Sequence, residues 1–236
     1  AIPQISDTAA LVKLLDLTNT KTKLLAIIAN ERGAKEACEF EEIEYLGFPF
    51  SVSETFQQRN TNSTMKESLS RVESIQNLCE QNKKQAVVYL SMGFGNPYGD
   101  DWNIDILSKW TEELIKKGIK ILSLADTTGV STVEKIEEIY PYLLNKYPQI
   151  EWGMHLHSIP ETSFQKIQAA FNAGCNRMDS AVKGFGGCPM ATDDLTGNIA
   201  TENVLSYLKS QDINLNINEE AWEEAYLFSS KIFDGH

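Results

Sequence analysis

Ile119-Lys120-Ile121-Leu122-Ser123-Leu124-Ala125-Asp126-Thr127-Thr128-Gly129 is a short apolar run that breaks into polar residues and a glycine. A helical pattern follows over 132–146, with Ser131 or Thr132 as its cap. A second β-rich run, Ile150-Glu151-Trp152-Gly153-Met154-His155-Leu156-His157, comes next. Strand, helix and strand in that order make a crossover unit whose two strands run parallel. The unit repeats outward. Upstream, strands are expected at 24–29, 42–49 and 86–91, the second ending where Pro49 forbids a central ladder bond. Between them lie helices at 6–15, 31–40, 64–82 and 103–117. The long helix carries Leu69, Val72, Ile75 and Leu78 on helical spacing, and Gly118 stops the last. Downstream come a helix at 162–172, a strand at 177–182, and helices at 201–211 and 221–233.

Six strands, each followed by a helix, are compatible with an open doubly wound sheet or a (β/α)8 barrel. No Gly-x-Gly-x-x-Gly follows the first strand, which weakens the dinucleotide-binding sheet. Chemically useful residues close nearly every strand: Asn30, residues 93–98, Asp126 to Gly129, His155 to His157, and Lys183-Gly184. A barrel gathers all its strand C-termini on one face, whereas an open sheet spreads them along a line. The expectation is an α/β chain, a (β/α)8 TIM barrel with about six of its eight units present. Residues 1–236 would form one domain, N-terminally incomplete.

The chain has 21 basic and 33 acidic residues, a net charge of −12, which argues against nucleic acid or an anionic membrane as the main partner. No run of about 18 apolar residues exists to span a bilayer. Ala1-Ile2-Pro3-Gln4 has neither a signal-peptide pattern nor an initiator Met, which points to a processed or trimmed chain. Cys38, Cys79, Cys175 and Cys188 form no Cys-x-x-Cys motif and read as free thiols in a reducing, cytoplasmic compartment.

Two of the three histidines, His155 and His157, lie two residues apart in a strand and so share a face. Such a pair suits one metal ion, or else one ring is a satisfied core group and the other incidental. Asp126 is either a turn residue bound to backbone N–H groups or a carboxylate beside that metal. Asn198 is either a turn residue or a hard oxygen donor. Gly184-Phe185-Gly186-Gly187-Cys188-Pro189 is a glycine-rich loop with a thiol at its tip, poorly placed for packing, so Cys188 reads as functional. The other three cysteines read as buried hydrophobes.

Together these motifs resemble the hydroxymethylglutaryl-CoA lyases, within the superfamily of metal-dependent (β/α)8 lyases and acyl-condensing synthases. The carriers are Gly47-Phe48, Gly93-Phe94-Gly95-Asn96-Pro97-Tyr98, Ser123-Leu124-Ala125-Asp126-Thr127-Thr128-Gly129-Val130, His155-Leu156-His157, Gly186-Gly187-Cys188-Pro189 and Gly197-Asn198-Ile199-Ala200-Thr201-Glu202. The resemblance implies that His155, His157 and Asn198 bind a divalent cation, Mg2+ or Mn2+. It implies that Cys188 closes over substrate and moves a proton, that Asp126 is catalytic, and that Tyr89 and Ser123 line the acyl pocket. The implied reaction is retro-Claisen cleavage of 3-hydroxy-3-methylglutaryl-CoA to acetyl-CoA and acetoacetate, as in leucine degradation. An acyl-CoA substrate and a homodimer are the implied partners.

Three departures stand out. Ser158 replaces an Asp common in relatives, and the stretch from Cys188 to Asn198 is slightly longer. No Arg-Asp dipeptide occurs anywhere, so the first two strands, with a metal-binding Asp and an enolate-stabilising Arg, are expected to be missing. The chain alone would then be inactive or nearly so, and the strand at 24–29 would be an open edge inviting association. A condensing synthase of the same superfamily, a non-catalytic partial barrel and a zinc hydrolase are the alternatives.

Overall fold

A computed structural model describes residues 7–187 and 196–233. In chain order the elements are α1 (Thr8–Leu14), β1 (Leu24–Ile27), α2 (Glu31–Cys38), β2 (Ile43–Ser51), α3 (Glu54–Thr61), α4 (Met65–Gln81), β3 (Gln85–Ser91), α5 (Ile104–Lys116), β4 (Ile121–Asp126), α6 (Val133–Lys146), β5 (Glu151–Leu156), α7 (Pro160–Asn172), β6 (Met178–Asp179), α8 (Thr201–Ser210) and α9 (Glu219–Phe233). A short 3-10 turn, Val182–Gly184, follows β6. All six strands are parallel and lie side by side in sequence order. Unbroken sequential order is the barrel's topology; a doubly wound sheet would reverse direction at a switch point. The described strands make a partial (β/α)8 barrel.

Strand alternation sorts the side chains into two layers. On β2, Leu46, Phe48 and Phe50 are fully buried against the surrounding helices. The intervening Tyr45, Gly47 and Pro49 face the lumen. Gly47 is required there, because a Cβ would come within 2.6 Å of Ile27 Cδ1 and 3.0 Å of Tyr89. Leu25 and Ile27 share that lumen face and are exposed, Ile27 by 65%.

Helix starts follow from capping. The side chains of Asn30, Ser53, Thr64, Asn103 and Thr132 each accept a backbone N–H in the first turn of the next helix, and Thr64 with Glu67 forms a full capping box. The short helix α3 is not evident from the apolar pattern: its sequence, ETFQQRNT, buries only Phe56 and Gln57. Pro49 does not end β2, which continues to Ser51. Gly47 O accepts from Ile28 N on the β1 side, and Pro49, two residues on, points to that same side. The β1 register has already stopped at Ile27, so no N–H is needed there. The strand expected at 177–182 shrinks to two residues, paired as Met154–Met178 and His155–Asp179.

Candidate active site

Side chains gather at the C-terminal rims of β3 to β6. His155 lies on β5, and His157, one residue past its end, forms an antiparallel bridge with Asn198. The two rings face the same way, with Nε2 atoms 3.2 Å apart. The opposite ring nitrogens are both committed. His155 Nδ1 is 3.2 Å from Asp179 Oδ2, and His157 Nδ1 is 2.9 Å from the Thr196 carbonyl. Carboxylate and carbonyl oxygens only accept, so in the neutral rings each Nδ1 carries the proton. Both Nε2 atoms then present lone pairs to each other, an arrangement relieved by a shared cation. Cis ligands on an octahedral divalent ion at about 2.1 Å stand roughly 3 Å apart, so the donor pair fits such an ion.

Burial pushes the His157 pKa below its ordinary 6.5, partly offset by the hydrogen bond to the Thr196 carbonyl. The ring therefore stays neutral at physiological pH, as a metal ligand must. Asn198 donates its amide Nδ2 to the Phe185 carbonyl at 2.9 Å, and among the described residues its Oδ1 accepts no hydrogen bond. That leaves an oxygen donor on the residue whose backbone bridges His157. Among the described residues no three His, Cys, Asp or Glu side chains cluster as a metal site. The donors here are two imidazoles and an amide.

Tyr89 meets His155 edge-on, with ring centroids 5.7 Å apart. Burial first, and then the neighbouring Asp179 carboxylate, push its phenol above its ordinary 10, so it remains a proton donor. Ser123 is in register with Tyr89 and with Gly153, and its buried Oγ has no partner among the described residues. Arg177 crosses the same row: a Cβ on Gly153 would fall 2.5 Å from its Cζ, and its Nη2 donates to the Leu122 carbonyl.

Asp126, at the end of β4, is buried. Its Oδ2 accepts from Ser131 N, Ser131 Oγ and Lys166 Nζ, while Oδ1 has no partner among the described residues. Cys188 lies outside the described residues. Cys38, Cys79 and Cys175 are free thiols whose pKa values burial raises, that of Cys79 to about 12, so none is a nucleophile at neutral pH.

The structure thus brings His155, His157, Asn198 and Tyr89 together, with Ser123 in the same row as Tyr89 and Asp126 behind the rim. Sequence reasoning missed Asp179 and Lys166. An acid inside a β-rich run was the available signal for the first. For the second it was a lysine on the helix face shared by Ser163, Ile167 and Ala170.

Residues 1–225 match the family described as HMGL-like. A hydroxymethylglutaryl-CoA lyase of Bacillus subtilis is 32% identical over 219 residues, covering 93% of this chain and 72% of that protein. The crystal structure of the Bacillus subtilis HMG-CoA lyase aligns with a TM-score of 0.85 at 29% identity, over 95% of this chain and 74% of that one. An HMG-CoA lyase of Acinetobacter baumannii, solved with coenzyme A and 3-methylmalate, aligns with a TM-score of 0.87 at 25% identity, over 98% and 74%. The chain spans about half the length of the cytoplasmic vertebrate lyases that it matches. A family match over nearly the whole sequence, with the fold shared by those structures, leaves one assignment: the chain belongs to the HMGL-like family.

Proposed function

We propose that this chain carries the imidazole side of a divalent-cation site that cleaves 3-hydroxy-3-methylglutaryl-CoA to acetyl-CoA and acetoacetate. The observation that carries the reading is the facing His155 and His157 Nε2 pair, with both Nδ1 protons already used. His155, His157 and Asn198 Oδ1 would hold the ion, Mg2+ or Mn2+. When bound, it supplies Lewis-acid polarisation of the substrate's 3-hydroxyl and carboxylate oxygens.

The protein's own groups do the rest. Asp179 and the Thr196 carbonyl fix the two rings. Tyr89 and Ser123 line the acyl pocket beneath them. A base takes the 3-hydroxyl proton, and the bond between C2 and C3 breaks as the C3–O bond becomes a carbonyl. The released electron pair forms the acetyl-CoA enolate, whose carbon is then protonated. Cys188 is the proposed proton donor, and Asp126 the proposed acidic residue of the site. The same reading places the protein in the cytoplasm as a homodimer.

The test is Mn2+ titration and acetoacetate release in the full-length protein, comparing wild type with His155→Gln and His157→Gln. Saturable Mn2+ binding and metal-dependent turnover, both lost in the variants, are expected. Cleavage that persists in EDTA, or Mn2+ binding untouched by either substitution, would exclude the reading.

A further inference from the structure

Lys166 is a buried cation with no part in the chemistry above. It sits on the inner stripe of α7, and its side chain is 5% exposed. Its ammonium donates to three acceptors: Asp126 Oδ2 at 3.0 Å, the Gly129 carbonyl at 3.0 Å and the His157 carbonyl at 2.9 Å. An ammonium has three protons, so its capacity is filled. The acceptors are the last residue of β4, the turn after it, and the residue just past β5. The register between β4 and β5 runs out at the Asp126–Leu156 pair. Just beyond that last pair, the Lys166 ammonium binds the His157 carbonyl and so holds the rim past the end of the ladder.

We infer that Lys166 is a positioning residue that ties the ends of β4 and β5 together, setting His157 in place for cation binding. This rests on the reading of His155 and His157 as cation ligands. Lys166 also decides how Asp126 is held. With Ser131 it loads one carboxylate oxygen with donors and leaves the other uncommitted. Arginine would keep the charge, but its planar fork cannot aim three N–H groups at three acceptors converging on one point. Methionine would fill the space and donate nothing.

The experiment measures Mn2+ affinity by electron paramagnetic resonance on the full-length wild type, Lys166→Arg and Lys166→Met, with folding verified by circular dichroism. Lys166→Met is expected to weaken Mn2+ binding about 10- to 100-fold, in the range of other residues that orient metal ligands. Lys166→Arg is expected to weaken it at least about threefold. In both, kcat should fall more than KM rises. If Lys166→Met does not fold, Lys166→Arg decides: a folded variant with wild-type Mn2+ affinity overturns the inference. A wild type that binds no Mn2+ overturns the cation-site reading, and this inference with it. Wild-type binding matched by both variants overturns the inference alone.

Discussion

The Asp179 carboxylate sits 3.2 Å behind the His155 ring, on the side away from His157. The two residues are direct register partners of β5 and β6, so backbone pairing itself delivers the acid to the ring. Asp179→Asn keeps the shape but removes the charge that holds the Nδ1 proton. Mn2+ affinity should drop about 10- to 100-fold with little change in thermal midpoint. Isothermal titration on the full-length protein checks this. Unchanged affinity would mean that Asp179 does not orient His155.

Acid sensitivity follows from His157. Its folded pKa lies below the ordinary 6.5, so below that pH the unfolded chain binds the proton more readily. The stabilisation is fully present above 6.5 and is lost as pH falls through the folded value. Urea midpoints of the metal-free protein, measured from about pH 7.5 down to about pH 5, should decline, and His157→Gln should flatten the slope. An equal slope in the variant would assign the decline to other groups.

The Asp126–Lys166 pair is almost wholly buried, with side chains 0% and 5% exposed. Lys166→Met strands a carboxylate in the interior and should cost about 3–5 kcal/mol. The double variant Asp126→Leu/Lys166→Met removes both charges and should recover most of that loss. Chemical denaturation of the wild type, single and double variants forms the cycle. A double variant as unstable as the single one would contradict the ion-pair account.

Gly153 leaves room for the Arg177 guanidinium, which a methyl group would meet at 2.5 Å. Gly153→Ala should destabilise the fold by about 1–3 kcal/mol through overpacking. Arg177→Ala in the same chain should relieve much of it. Additive losses in the double variant would place the strain elsewhere.

The 236-residue chain by itself offers two imidazoles and an amide, no third His, Cys, Asp or Glu among the described residues, and no Arg-Asp dipeptide. We expect it to bind Mn2+ weakly and to turn over at least about 10²–10³-fold more slowly than a polypeptide that also supplies an Arg-Asp pair, the usual effect of one lost electrostatic donor. Side-by-side assays of the two polypeptides decide it. Equal rates would show that the residues present suffice.

The barrel was legible in the sequence because each strand and helix announces itself locally. Apolar runs, capping residues such as Thr64 and Asn103, and glycines such as Gly118 need no tertiary information. The histidine pair was legible for the same reason, since i and i+2 share a strand face. Asp179 and Lys166 were not, because their meaning lies in partners 24 and 40 residues away, His155 and Asp126. Pro49 misled because its tolerance depends on where the neighbouring β1 stops, which β2 alone does not encode. The β6 strand was overestimated because the chain turns into the Val182–Gly184 turn, with Lys183 at a positive φ of 58°.

Pro49 has a further effect on strand pairing. An extended segment, from this chain or another, that tried to add to β2 above Ile27 would find no amide proton at the place where its first new bond should form. Pairing upward along this side of the sheet therefore starts one bond short. One missing hydrogen on β2 blunts its β1 side against stray backbone.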